Sequence, residues 1–385
     1  MPAPFEAFAS CQPGLEPLLA RELQALGATP RTLPGGVAFA ADTRLVMKSC
    51  LWLGTASHVL LRLAEFPCRA LGELQRKAAL LPWDDWLRPK VPVDIRATTR
   101  ASRLFHTSAI EERIGNAISA AFGKPLREAT TADDDVARVT VRFHRDVCTI
   151  SLDATSTPLH RRGYRLASAK APLREDLAHA LLLAGGFTAD DALLDPFCGS
   201  GTIAIEAAGL LRGLAPGRAR PPALGQLALF DAELWMEVKE QPAPRTAPPI
   251  AASDRDAGAI EAARGNAERA GVADAIDFRC CAITAQPWLE KPGTAPTRGL
   301  LATNPPFGIR VQKGPGLLPL YQTLGHRAAR LGEGWRTVVL AHDVRLARRT
   351  GLPLRAAFTT RHGGLSVTAL VPGGAAAATD PATES

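Results

Sequence analysis

Asn304-Pro305-Pro306-Phe307 is the stretch of this chain best suited to chemistry on a flat amine. Two prolines fix φ and hold the Pro305 carbonyl outward, beside the Asn304 amide oxygen. An amine conjugated to a base ring is a poor nucleophile, because its lone pair is delocalised. Two acceptors that take both of its N–H groups favour a pyramidal nitrogen and stabilise the positive charge that builds there. Phe307 can stack on the base and align it. No general base is needed before transfer. A plain turn after a strand, with Phe307 in the core, rarely needs Asn-Pro-Pro-aromatic.

About a hundred residues upstream lies Asp195-Pro196-Phe197-Cys198-Gly199-Ser200-Gly201-Thr202, a strand-to-helix turn. Gly199 and Gly201 let the backbone turn tightly and approach a ligand closely. Asp195 ends the strand, where open α/β sheets bind ligands. With Phe197 and Thr202 it frames a donor loop. Gly199-x-Gly201-x-x-Ala204 also fits a dinucleotide turn, which requires an acid about 20 residues on. The acid ending the next strand is Asp254, far beyond that distance. S-adenosylmethionine therefore fits better than NAD. Asp254 would accept from its ribose hydroxyls, cap the helix that starts near Ala257, or do both. In this order the two motifs point to an amino-group methyltransferase. A covalent cytosine mechanism would need a Cys in the amine motif, which has none, so Cys198 and the Cys280-Cys281 pair read as structural.

These motifs need a sheet to hold them. From Leu173 onward strand and helix alternate, the pattern of a parallel sheet covered on both faces. Strands are predicted over 192–195, 250–254, 276–278, 300–303 and 337–340, with an edge strand over 365–371. Helices are predicted over 202–212 and 257–270. Residues 213–249, rich in Pro, Gly and Arg, read as an insertion near the site. The tail from Gly373 is low in complexity and reads as disordered. Upstream, residues 5–66 read as strand, helix, strand, helix, the last helix covering 45–63. Residues 91–153 read as a strand at 93–97, a helix at 108–122 and a hairpin over 139–152. Arg96, Arg100 and Arg103 cluster beside that hairpin, either as an exposed rim or as RNA contacts. His160-Arg161-Arg162-Gly163-Tyr164-Arg165 has two readings. Arg161, Arg162 and Arg165 could grip phosphate while Tyr164 stacks a base. They could equally pair with carboxylates as a linker.

The 385 residues carry a formal charge of +7, with 46% hydrophobic and 22% charged residues, as in soluble globular chains that meet an acidic partner. Seven cysteines form no C-x-x-C pair, and the eight histidines add no ligand spacing, so no metal site is expected. Scattered thiols suggest a reducing, cytoplasmic setting. The start of the chain shows no leader pattern, and no apolar run is long enough to span a bilayer.

The chain resembles the THUMP-domain class I RNA methyltransferases that make N2-methylguanine, in particular the RlmL-type 23S rRNA enzymes in a short form. The resemblance rests on Gly14-Leu15-Glu16, Gly35-Gly36-Val37, Ser102-Arg103-Leu104-Phe105-His106, Arg162-Gly163-Tyr164-Arg165, Ala171-Pro172-Leu173-Arg174-Glu175, the donor loop and Asn304-Pro305-Pro306-Phe307-Gly308. It implies an α/β chain with a ferredoxin-like region over 1–66, a THUMP RNA-binding domain over 67–156, a Rossmann-like methyltransferase domain over 157–372 and a tail from 373. It also implies ribosomal RNA as partner and places Arg310 at a basic position after the amine motif. Ile309 departs from a usual Glu, Ala282 from an Asp that meets the donor adenine, and Gly54 and His58 from a usual Arg. A tRNA guanine-N2 enzyme, an adenine-N6 enzyme and a non-catalytic RNA-binding assembly factor are the other readings.

Overall fold

The computed structural model describes residues 4–130, 133, 136–155, 157–165, 172–240, 247–307 and 316–373. The chain divides into two units, the first comprising 1–163 with 215–242 and the second 164–214 with 243–385.

The first unit is built on one sheet of seven strands: β1 (Phe5–Cys11), β2 (Pro30–Leu33), β3 (Gly36–Ala41), β4 (Ala56–Pro67), β5 (Val93–Arg100), β6 (Ala137–His144) and β7 (Val147–Asp153). Their order is β2-β3-β1-β4-β7-β6-β5. Alternation sets the faces: Ala137, Val139, Val141 and Phe143 of β6 are buried, whereas Arg142 between them is exposed. The β6–β7 hairpin closes through Arg145 and Asp146, both at positive φ, as a two-residue turn matching the strand twist requires. Strand β4 pairs with β1 on one side and β7 on the other. The two expected N-terminal modules therefore share a single sheet.

The helix expected over 45–63 is shorter than its apolar run. It covers Thr43–Trp52, and the rest of the run is strand β4. The Asp42 carboxylate caps its start from Leu45 N at 2.7 Å. Its end is set by Glu22, whose carboxylate takes the N–H groups of Gly54 at 2.7 Å and Thr55 at 3.0 Å. Those amides are withdrawn from helical bonding, and β4 finds partners on both sides. A local apolar pattern carries neither fact.

Of residues 213–249, expected as an insertion near the site, 215–242 belong to the first unit. Gly217 N donates to Leu51 O at 2.8 Å, Leu224 N to Ala154 O at 2.9 Å and Ala228 N to Trp86 O at 2.9 Å. The Arg220 guanidinium reaches the carbonyls of Leu159 and Cys50.

The second unit holds the other seven strands: β8 (Ala192–Asp195), β9 (Ile250–Asp254), β10 (Ile276–Cys280), β11 (Gly299–Thr303), β12 (Trp335–Ala341), β13 (Leu354–His362) and β14 (Leu365–Pro372). Their order is β10-β9-β8-β11-β12-β14-β13. The first five are parallel, and β14 and β13 join antiparallel. The strand expected at the edge, β14, lies inside the sheet, because β13 pairs along its outer side. Strands β8 and β11 are buried along their whole length, as a parallel sheet covered on both faces demands. Strand β8 is flanked by β9 on one side and β11 on the other. The chain thus leaves β8 in opposite directions, and a crevice opens at the carboxyl ends of these strands. Among the described residues no helix is long and apolar enough to cross a membrane. The expected tail lies outside the described residues, apart from Gly373.

Candidate active site

Strands β8 and β11 run side by side, so their carboxyl ends meet. Asp195 ends β8, Thr303 ends β11, and the Thr303 hydroxyl donates to Asp195 Oδ1 at 2.8 Å. This bond brings the two sequence motifs together across 108 residues. Around it lies a cavity of about 1060 Å³, lined by the donor loop, by Asp254 to Asp256, by Cys281 to Thr284, by Asn304 and Pro306, and by Leu317, Leu320 and Thr323. Of the predicted donor residues Asp195, Phe197, Gly199, Thr202 and Asp254 line it.

Gly201 does not. A Cβ there would lie 3.0 Å from the Ala263 Cβ and 3.3 Å from the Phe278 ring. Its missing side chain thus answers the helix Ala257–Ala270 and β10. Gly199, at φ +51, faces open space, with no atom within 4 Å of where a Cβ would stand. Its N–H donates to Asp254 Oδ2 at 3.0 Å, while Asp254 Oδ1 accepts from Asp256 N at 3.0 Å. Asp254 therefore ties the donor loop to the end of β9. The capping role weighed for it belongs to Asp256, whose side chain accepts from Gly258 and Ala259. Asn266 Nδ2 donates to Ser200 O at 3.0 Å and braces the loop from behind.

Asp195 is 1% exposed. Burial pushes its carboxyl up to about 7, offset in part by the Thr303 hydroxyl and the Phe197 N–H and reinforced by the charge of Asp254. Burial also raises the Cys198 thiol, with Asp195 and Asp254 adding to the effect, which leaves it a packing group without nucleophilic character.

On the amine side, the Asn304 Oδ1 is buried and has no hydrogen-bond partner among the described residues. A buried acceptor left without a donor costs about 1–3 kcal/mol, so its persistence calls for a reason. Pro305 is buried, and it is Pro306 that reaches the cavity wall. The half-buried Phe307 ring lies 6.0 Å from that of His342, tilted by 52°. Arg310 and Ile309 lie outside the described residues.

The basic run separates residue by residue. Arg161 is exposed. Arg162 is 4% exposed and spends its guanidinium on the carbonyls of Leu159 at 2.5 Å and Gly54 at 2.6 Å. It braces the first unit and is not available to phosphate. Tyr164 is 5% exposed, with its hydroxyl 3.5 Å from Glu206, and cannot stack a base. Arg165 donates to Thr202 Oγ1 at 2.6 Å and to Leu173 O at 2.7 Å, and lies 3.6 Å from Glu175. It stands behind the donor loop, and the reading of the run as a linker paired with carboxylates describes it better. Nothing in the local sequence could have shown which arginine is buried, because the acceptors come from distant turns. On the first unit Arg96 is exposed but paired with Asp94 at 2.8 Å, and Arg103 is exposed.

Known proteins resemble this chain in sequence and in fold. The profile described as "RMKL-like, methyltransferase domain" matches residues 162–369, the RlmL ferredoxin-like domain matches 6–60 and the THUMP domain matches 68–153. The ribosomal RNA large subunit methyltransferase K/L of Syntrophotalea carbinolica is 33% identical over 379 residues, covering 95% of this chain and 53% of the relative. The chain thus spans about half the length of that relative. A Synechocystis protein named as an RNA methyltransferase is 32% identical over 372 residues, covering 94% of this chain and 95% of the relative. A crystal structure described as a methyltransferase complexed with SAH superposes with a TM-score of 0.86 at 26% identity, covering 98% of this chain and 100% of that one.

Proposed function

The chain belongs to the RMKL-like methyltransferase family, and we propose that it methylates the exocyclic N2 amine of a guanine in large-subunit ribosomal RNA, with S-adenosylmethionine as donor. The observation that carries this reading is the unpartnered, buried Asn304 Oδ1 at the wall of the donor cavity. It is an acceptor already desolvated and waiting for an N–H.

S-adenosylmethionine, when bound, supplies an electrophilic methyl group on a sulfonium. The residues that would hold it are the donor loop from Asp195 to Thr202 and Asp254. They fit that role: Gly199 leaves open the space a side chain would fill, and Asp254 is fixed at the end of β9 by two backbone amides. Asn304 Oδ1 accepts one N–H of the incoming amine, the Pro305 carbonyl accepts the other, and Phe307 stacks on the base ring. These contacts strengthen as the nitrogen becomes positive, so they favour the transition state over the bound base. Ala282 offers no carboxylate to the adenine amine, which leaves backbone groups and packing along 281–284 to hold that ring.

The test is mass spectrometry of modified nucleosides from a deletion strain, with ribosomal and transfer RNA digested separately. Loss of N2-methylguanosine from 23S rRNA, restored by the gene and not by an Asn304→Ala copy, is the expected result. Loss from tRNA, or loss of N6-methyladenosine, would replace this substrate by another.

A further inference from the structure

We propose that His342 accepts the ring N–H beside the amine of the target base and so selects guanine over the other amino bases. The inference rests on the methylation reading above and goes further by naming the group that tells guanine from adenine and cytosine.

His342 follows Ala341, the last residue of β12. The parallel register pairs Thr303 of β11 with Val339 of β12, so the amine motif and His342 leave neighbouring strands at the same edge of the sheet. The centroids of the Phe307 and His342 rings are 6.0 Å apart. Asn304 and Pro306 line the donor cavity, whereas Phe307 and His342 stand outside its wall. A base that stacks on Phe307 with its amine at Asn304 lies within reach of the His342 ring.

The tautomer of that ring is fixed from behind. His342 Nδ1 lies 2.8 Å from Ser366 O on β14. A carbonyl oxygen only accepts, so Nδ1 carries the proton, and the neutral ring keeps a lone pair on Nε2. Ser366 is itself paired with Arg361 of β13, so the carbonyl that sets the tautomer is held by the sheet. The adjacent Asp343 carboxylate does not compete, because it accepts from Arg345 N at 2.8 Å and Leu346 N at 3.0 Å. Among the described residues Nε2 has no hydrogen-bond partner. An acceptor here sorts bases by what flanks the amine. Guanine has N1–H beside its N2 amine. Adenine and cytosine have a bare ring nitrogen beside theirs, whose lone pair would face that of Nε2. Asn304 Oδ1 and the Pro305 carbonyl take the two amine N–H groups, and Nε2 takes N1–H. Guanine alone among the RNA bases presents all of these donors side by side. Positive charge that builds on N2 spreads to N1, so the contact tightens in the transition state.

Heteronuclear NMR of the histidine rings in the full chain should show neutral His342 protonated on Nδ1; a neutral ring protonated on Nε2 would overturn the proposal. Single-turnover methyl transfer is then compared on 23S rRNA rejoined around a synthetic segment. At the position mapped by nucleoside analysis the segment carries guanine or 2-aminopurine, which keeps the N2 amine but has no N1–H. The unmodified chain should methylate 2-aminopurine roughly ten- to a hundred-fold more slowly, the loss expected when one hydrogen-bond partner is missing. His342→Ala should slow guanine by a similar factor and leave 2-aminopurine unchanged, which erases the preference. His342→Gln, whose amide can accept from N1–H or donate to a bare N1, should restore the rate on guanine and speed 2-aminopurine. Donor affinity, read by calorimetry as a check on folding, should stay level in both variants. If His342→Ala slows both bases equally, the ring only props Phe307 and this proposal falls while the proposed reaction stands. Failure of the guanine substrate to gain an N2-methyl group would instead remove the reading on which the proposal rests.

Discussion

Thr303 and Asp195 are bonded at 2.8 Å, so the last residue before the amine motif holds the carboxylate that opens the donor loop. The two motifs of the proposed site are thereby tied through one buried hydroxyl. A buried carboxyl near 7 within this pair makes the coupling sensitive to pH.

Ionised Asp195 attracts the positive charges of the donor, so donor affinity should rise as pH increases through about 7. Asp195→Asn should abolish the dependence, and Thr303→Val, which removes a donor to the carboxylate, should move the midpoint upward. Calorimetric titration between about pH 6 and pH 8 reads both. Stability should run the other way. The folded chain holds a proton on Asp195 that the unfolded chain loses near its ordinary value of about 4, so the folded state binds more protons between about 4 and 7. Stability from this group is therefore present at low pH and lost as pH rises through that window, a slope that Asp195→Asn should remove from urea midpoints.

Asn304→Ala should slow single-turnover methyl transfer by roughly a hundred- to a thousand-fold, the loss typical of one preorganised contact, while donor affinity stays near its original value. Because the Oδ1 is unpartnered in the folded chain, the same change should not lower the melting temperature. A normal rate would mean that the amine pocket lies elsewhere.

The two loop glycines should fail differently. Gly201→Ala places a methyl 3.0 Å from the Ala263 Cβ at φ +82, so it should cost stability, on the order of 1–3 kcal/mol, with donor affinity changed only through the shifted loop. Gly199→Ala meets no protein atom and should cost about 1 kcal/mol or less in stability, yet weaken donor binding by intruding on the cavity. Urea denaturation and calorimetry on both variants separate the two effects.

Arg161→Ala and Arg162→Ala should part company although the residues are neighbours. Arg162 is buried on two carbonyls, so its loss should destabilise the first unit by about 1–3 kcal/mol for each acceptor left bare, whereas Arg161→Ala should leave the melting temperature unchanged. An equal, small effect of both on stability would contradict the placement of Arg162.

Much of the second unit was legible because its signals are local. The apolar runs of β8, β9 and β11, each ending in a turn, announce a parallel sheet, and Asp195, Asp254 and Asn304 sit at the ends of those runs. What was not legible depended on partners far along the chain. The apolar stretch after Trp52 looks helical until Glu22 captures the amides of Gly54 and Thr55. Strand β13 carries polar residues, Thr359, Thr360 and Arg361, that hide its pairing with β14 and so put the sheet's edge in the wrong place. Gly201 fits a ligand-binding pattern, but the atoms that demand a glycine there are Ala263 and Phe278, and no pattern in the loop points to them.

Residues 215–242 complete the first unit after the second has already begun at 164. Chains usually fold domain by domain as they leave the ribosome, the earlier part first. Here the N-terminal sheet emerges whole, yet the segment carrying Gly217, Leu224 and Ala228, which bonds to the carbonyls of Leu51, Ala154 and Trp86 in the same unit, is still unsynthesised while β8 and the donor loop appear. The first unit must wait with part of its surface open, and the second must begin before the first is finished. Synthesis order and folding order are interleaved, and no single cut in the chain yields both units intact.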